Sequence, residues 1–260
     1  MIANAVLIDC LRANPVFAQL DDAALDVVLA EATIRTVAPG DIVVRQGDAA
    51  SAFGVLAGGR AKMIQVTADG RQILLRYIVA GQEFGLIAAL PDLAYPLTIE
   101  AVDECQVLYW PGATLAAYFG RYPQLALNAL QIMVLRNQEL QARYRELLTE
   151  RVEQRLARAL LRLAQVTGSC DKDGTLITLP LTREDLAELV GTTLYTVSRT
   201  LSQWDQAGLV NTGRERVVVT DAAGLEAIAG TAEVLPVSCV APCALVEMMT
   251  AARAARTPRT

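Results

Sequence analysis

The chain has 260 residues, a net charge of −5, 53% hydrophobic residues and no histidine. That length suffices for two domains with their own cores, and no apolar run reaches the 18 residues that a membrane helix needs. Without histidine, the commonest general base and the commonest haem or zinc ligand are missing.

The opening stretch MIANAVLIDCLRAN has acids and no basic segment ahead of its apolar part, which argues against a secretory signal and for a cytoplasmic protein. Residues 1–31 read as helical, with Leu20-Asp21-Asp22 opening a short amphipathic helix through Ala30. From 33 to 110 the pattern changes. Turn pairs fall at Pro39-Gly40, Gly47-Asp48, Gly58-Gly59, Asp69-Gly70 and Gly81-Gln82, with short β-prone runs such as Ile42-Val43-Val44 and Ile73-Leu74-Leu75-Arg76-Tyr77 between them. Regular turns with short strands predict an all-β sandwich or barrel. Cys105 alternates with Val107 and Tyr109 and reads as a small buried hydrophobe. No Lys or Arg occurs from Tyr77 to Gly120.

From Pro123 to about Gly168 the chain reads as helix, with Thr149 as a cap or break. Leu127, Leu130, Val134, Asn137, Gln141, Tyr144 and Leu148 recur at coiled-coil a and d spacing. This stripe is apolar at first and polar at Asn137 and Gln141, which weakens a helix pair while fixing its register. Residues 168–174 read as a polar turn.

Next comes LTREDLAELVGTTLYTVSRTLSQWDQAGLVNTGRERVVVTD. Thr182 is a good N-cap, with Asp185 completing a capping box, and Gly191 ends that helix. Leu186, Leu189 and Val190 form its apolar stripe. Thr192 or Thr193 caps a second helix, whose apolar stripe runs Leu194, Val197, Leu201 and Trp204. After Gly208, Leu209-Val210 and Val217-Val218-Val219 flank a turn at Thr212-Gly213-Arg214. A helix pair with a Gly turn, Arg on the open side of the second helix and a two-stranded wing fits entry into a DNA major groove. The charge is split: residues 1–122 carry net −5 and residues 123–260 net 0, so DNA binding would rest on a few placed arginines.

This stretch resembles the winged helix-turn-helix of the Crp/Fnr regulators, whose motif runs close to T-R-x-x-[IL]-x-x-x-[LV]-G-x-[ST]-x-E-T-[VI]-[SG]-R. Thr182, Arg183, Leu186, Val190, Gly191, Thr193, Thr196, Val197, Ser198 and Arg199 match it, while Tyr195 stands where the family has Glu. The segment from Pro39 to Gly85 is similar to the β-roll of cyclic-nucleotide-binding domains, and the two resemblances span residues 15–225. They imply an α+β protein in four parts. Residues 1–122 form a β-roll sensor of double-stranded, jelly-roll type, and 123–168 a dimerisation helix and a connector helix. Residues 169–229 form the winged helix-turn-helix, and 230–260 an extension beyond the family pattern.

The resemblance also assigns roles. Leu194, Tyr195, Ser198 and Arg199 face the bases, with Arg199 at the position of a guanine reader. Thr182, Arg183, Thr193, Arg214 and Arg216 face phosphates. Leu127, Leu130, Val134, Asn137 and Gln141 line a homodimer seam. The implied partners are palindromic double-stranded DNA, a second copy of the chain, and RNA polymerase if the protein activates, with no membrane. An enzyme is not expected.

The family's cyclic-AMP binders hold the ribose with a Gly-Glu pair and clamp the phosphate with an Arg followed by Ser or Thr. Aligning Gly85 with the family's Gly puts Leu86 at the Glu position, and Tyr95-Pro96 falls at the Arg-Ser position. A phosphate anion taken out of water needs a cation and amides to replace its hydration, so the sequence argues against cyclic AMP. The oxygen-sensing Fnr branch uses clustered N-terminal cysteines, and here that segment has only Cys10. The alternative signal is redox, oxygen or nitric oxide, with Cys239 and Cys243 joined by Cys10, Cys105 or Cys170 in an iron–sulfur cluster or acting as thiols. The cofactor is otherwise unassigned.

Overall fold

The computed structural model describes residues 4–230, which divide into two compact units, 4–135 and 136–230. In the first, α1 (Asn4–Ala13) leads through a 3-10 turn (Pro15–Phe17) to α2 (Asp22–Ala30). The sequence dictates both starts. Asn14 accepts from the Val16 N–H, and Asp21 accepts from the Ala24 N–H. Asn14 is fully buried because it also donates to the Gly81 carbonyl at 2.7 Å and to Glu83 at 3.1 Å, fastening the helices to the strands that follow.

Those strands are β1 (Thr33–Val37), β2 (Ile42–Val44), β3 (Ala52–Gly58), β4 (Arg60–Val66), β5 (Gln72–Val79), β6 (Glu83–Phe84), β7 (Thr98–Ala101) and β8 (Cys105–Pro111). They form two four-stranded antiparallel sheets, ordered β1-β8-β3-β6 and β2-β7-β4-β5. The first strand pairs with the last and the second with the second to last, which closes the roll. Leu56, Ile78, Phe84, Ile99 and Val107 fill one core, within the roll. A second core seats the helices on the roll, where Phe17, Phe53 and Trp110 pack ring against ring and the Trp110 indole donates to the Val28 carbonyl at 2.8 Å. Cys105 is buried in the inner core, as the strand alternation predicted.

After α3 (Gly112–Arg121) comes α4 (Pro123–Thr149). Its first half buries Leu125, Ala129 and Ile132, and Asn128 donates to the Val16 and Ala18 carbonyls. Leu127, Leu130, Met133 and Val134 remain exposed.

The second unit holds the rest of α4 with α5 (Val152–Thr167), β9 (Gly168–Asp171), β10 (Gly174–Ile177), α6 (Arg183–Val190), α7 (Leu194–Gln206), β11 (Val210–Gly213), β12 (Arg216–Val219) and α8 (Ala222–Ala229). The strands form one antiparallel sheet, ordered β11-β12-β10-β9. Three sequence readings need correction here. Residues 168–174 are not a free turn but a hairpin, because β10 finds its partner in β12, which follows it by some forty residues. The wing turns at Arg214-Glu215 rather than Thr212-Gly213-Arg214, with Glu215 taking the left-handed conformation at φ 53°. Leu194 leaves the buried stripe of α7, being 52% exposed, and Thr200 takes the inner place beside Val197, Leu201 and Trp204.

Candidate nucleic-acid interface

Local chemistry fixes the helix pair. The Thr182 hydroxyl accepts from the Asp185 N–H at 3.0 Å, and the Asp185 carboxylate accepts in return from the Thr182 N–H at 3.0 Å. Leu186, Ala187 and Val190 anchor α6 inward. Gly191 then adopts φ 66°, ψ 54°, a left-handed cap that a side chain resists, and its N–H reaches the Ala187 and Glu188 carbonyls. Of the two candidate caps for α7, Thr193 is the one used: it accepts from the Thr196 N–H at 3.2 Å.

These constraints hold α7 with one side packed and the other open. Tyr195 is 74% exposed, Leu194 and Arg199 are exposed, and Ser198 is half-buried. The Arg199 guanidinium is exposed and has no hydrogen bond or ion pair among the described residues. Arg214, at the wing tip, is likewise exposed and bare among the described residues. A cation aimed at solvent from each element suits an anionic partner.

The other predicted phosphate residues are less free. The Thr182 hydroxyl also donates to Asp185 at 2.6 Å, and the Thr193 hydroxyl shares a hydrogen bond with Thr196 at 3.0 Å. Arg216 pairs with Asp171 of β9 at 2.5 Å, so its charge is partly neutralised within the sheet. Arg183 is half-buried, and burial lowers its pKa from the usual arginine value. Its Nη1 is enclosed and finds no partner among the described residues. Two residues that sequence reasoning passed over hold the interface in shape. Asp205, near the end of α7, accepts from the Thr212 hydroxyl at 2.8 Å and so ties that helix to the wing. Arg155 of α5 donates to the backbone around the α6–α7 turn. Neither carries a sequence signal, because the partners are set by the tertiary fold.

The predicted seam residues of α4, Leu127, Leu130, Val134, Asn137 and Gln141, all point to solvent in the single chain, and so do Tyr144 and Leu148. Exposed apolar side chains grouped like Leu127, Leu130 and Val134 are of the kind found at interaction surfaces.

In the β-roll, Gly85 takes φ 72°, and a side chain there would meet the Ala52 carbonyl. The loop continues as a short 3-10 helix of apolar residues, Leu86–Ala89. Tyr95, which the resemblance puts at the position of the phosphate-clamping Arg, is buried, and its hydroxyl is spent on Ala52, donating to the carbonyl at 2.8 Å and accepting from the N–H at 3.1 Å. Elsewhere in the roll, Lys62 and Arg60 are paired with Glu100 and Asp103.

Cys10 and Cys105 are buried, and burial pushes both thiols up to about 11, which disfavours the thiolate that a metal ligand must supply. Cys170 is exposed. Among the described residues no three His, Cys, Asp or Glu side chains are placed to hold a metal ion. Cys239 and Cys243 lie outside the described residues.

The build is that of a two-part regulator, a ligand-type β-roll followed by a winged helix-turn-helix. Comparison with known proteins agrees for each part: residues 34–122 match the cyclic nucleotide-binding domain and residues 154–228 the Crp-like helix-turn-helix domain. The cyclic AMP receptor protein of Thermus thermophilus is 27% identical over 219 residues, covering 84% of this chain and 98% of that protein. The transcriptional activator protein FnrA of Stutzerimonas stutzeri is 26% identical, covering 76% of this chain and 81% of its own length. The crystal structure of a CRP-family transcriptional regulator from Thermus thermophilus superposes with a TM-score of 0.64 at 29% identity, covering 76% of this chain and 97% of that one. The chain belongs to the Crp/Fnr family of transcription regulators, a family of DNA-binding regulators and not of enzymes. Among the described residues no helix is long and apolar enough to cross a membrane.

Proposed function

We propose that this chain is a cytoplasmic, non-catalytic, homodimeric regulator that binds a palindromic DNA site and answers to a signal other than a cyclic nucleotide. The observation that carries the reading is Arg199, held on the open side of α7 with no internal partner among the described residues. A guanidinium so placed donates two parallel hydrogen bonds to guanine O6 and N7, worth about 1–3 kcal/mol of discrimination. Ser198 and Leu194 complete the base-facing side. Tyr195 replaces the family's Glu with a group that both donates and accepts, so the preferred half-site differs from the family's common one at that base.

Arg214 and Arg183 contact phosphates and set register, with Thr182, Thr193 and Arg216 contributing through what their internal partners leave free. The division of labour is sensor 1–122, dimer and connector helices 123–168, reader 169–229 and extension 230–260. RNA polymerase is a further partner if the protein activates. Against cyclic nucleotides stand the missing cation from Tyr77 to Gly120 and Tyr95 bonded to Ala52 at the anion position. Selection of bound sequences from a randomised duplex pool tests the reading: a palindrome with a guanine in each half supports it, and no enriched sequence sinks it.

A further inference from the structure

One guanidinium in the second unit reaches three backbone carbonyls on two separate stretches of chain. Arg155 of α5 donates from Nη1 to the Glu150 carbonyl at 2.8 Å, from Nε to the Val190 carbonyl at 3.0 Å and from Nη2 to the Gly191 carbonyl at 3.3 Å. Glu150 lies just past the end of α4, Val190 is the last residue of α6, and Gly191 is the turn into α7. The turn's own N–H groups bond further back: Gly191 to Ala187 and Glu188, and Thr192 to Ala187 at 2.9 Å. The Val190 and Gly191 carbonyls are therefore left for Arg155, whose charge also suits the negative end of α6.

The anchor point is itself fixed. The Glu150 carboxylate accepts from Arg158 at 3.0 Å, and Arg158, 1% exposed, also donates to the Ala229 carbonyl at 2.6 Å. Glu146, one turn back on α4, is held by Arg162 at 3.0 Å and lies 3.5 Å from Arg158. The α4 helix also touches the turn directly, because the Leu147 side chain lies 3.0 Å from where a Cβ on Gly191 would sit.

We infer that Arg155 is a positioning residue for base reading: it sets the angle of α7 against the last turns of α4, and so the DNA specificity, through backbone it bonds. This inference rests on the DNA-reading function proposed above. The lever is short but sufficient. Arg199 lies six residues past the Thr193 cap, about 9 Å along the helix at ~1.5 Å per residue. A tilt of about 10° at the turn moves it by roughly 1.5 Å, well outside the hydrogen-bond window of about 2.7–3.2 Å. Lysine is no substitute, since a single ammonium on a flexible stem cannot span three carbonyls that a planar fork meets together.

The test uses full-length protein with Arg155→Lys and Arg155→Met. Far-UV circular dichroism reports folding. Affinities are measured for the best site selected by the wild type and for a scrambled duplex of equal length, over a salt series. The expected result is at least a tenfold fall in the specific-to-scrambled ratio for both variants, with the salt slope unchanged and relaxed preference at the Arg199 base. If Arg155→Met does not fold, Arg155→Lys, which keeps the charge, decides alone. An unchanged ratio, or affinities that fall alike on both duplexes, overturns the inference and leaves Arg155 as a stabilising contact only. A wild type without sequence preference fails at the earlier step, overturning the function and this inference together.

Discussion

Replacing Leu130 and Val134 with Glu should convert a dimer to monomers while leaving each protomer folded. Leu130 is 61% exposed and Val134 47% exposed in the single chain. Full burial of a Leu or Val side chain is worth about 1.5–3 kcal/mol. Scaling by the exposed fraction gives roughly 1–2 kcal/mol for Leu130 and roughly 0.7–1.5 for Val134. A two-fold seam buries each residue twice, so the pair contributes about 3.5–7 kcal/mol to dimerisation. At about 1.4 kcal/mol per decade, removing it weakens the dimer by roughly 300-fold to 10⁵-fold, before the repulsion of four added carboxylates is counted. The protomer has little to lose, because both side chains already face solvent. Multi-angle light scattering over a dilution series from high to low micromolar reads the mass, with circular dichroism as the folding control. A folded double variant that dimerises as tightly as the wild type would show that the exposed stripe of α4 is not the seam.

Other expectations follow from the same structure. Isothermal calorimetry with cyclic AMP or cyclic GMP should show no micromolar site, and one mapping to the β-roll would refute the reading of Tyr95. The buried thiols set a labelling pattern and a pH dependence. Iodoacetamide near neutral pH should modify Cys170 in the native protein, and Cys10 and Cys105 only after unfolding, as read by peptide mass spectrometry. Their native pKa values lie above the unfolded ones, at about 11 against 9.0, so the native state favours the proton. That stability is fully present below pH 9 and is lost as pH rises toward 11. A denaturation midpoint that rises over this interval would contradict the assignment. Arg214→Ala should weaken binding to all duplexes alike and reduce the salt slope by about 1 per half-site, since a phosphate contact carries no base information. A change of base preference would make Arg214 a reader instead.

Much of this architecture is legible in the chain because the signals are local. Gly-containing turns at near-regular spacing announce the β-roll, and Thr182, Asp185 and Gly191 mark a helix that starts and stops within ten residues. What the sequence hides is non-local. The β9–β10 hairpin lies in a polar stretch with no alternation, and it exists because β12 supplies an edge. The pairing of Arg216 with Asp171 depends on that same sheet. Leu194 has the spacing of a core residue, yet it is the first residue of α7 and stays exposed, while Thr200 lies on the buried face with Val197, Leu201 and Trp204. Tyr95 can be placed at the anion position by alignment, but its bonds to Ala52 cannot. Among the described residues Arg155 has only backbone carbonyls as partners, which no residue pattern encodes.

The central claim is that Arg199 on α7 reads DNA. It is tested most directly by randomised-site selection on the wild type and Arg199→Ala in parallel. The account predicts a palindrome whose half-site centres lie about one helical turn, ~34 Å, apart, with a guanine in each half. For the variant it predicts a loss of about 1–3 kcal/mol per half-site and relaxed preference at that base alone. An Arg199→Ala protein that selects the wild-type sequence with undiminished preference at the guanine would contradict it.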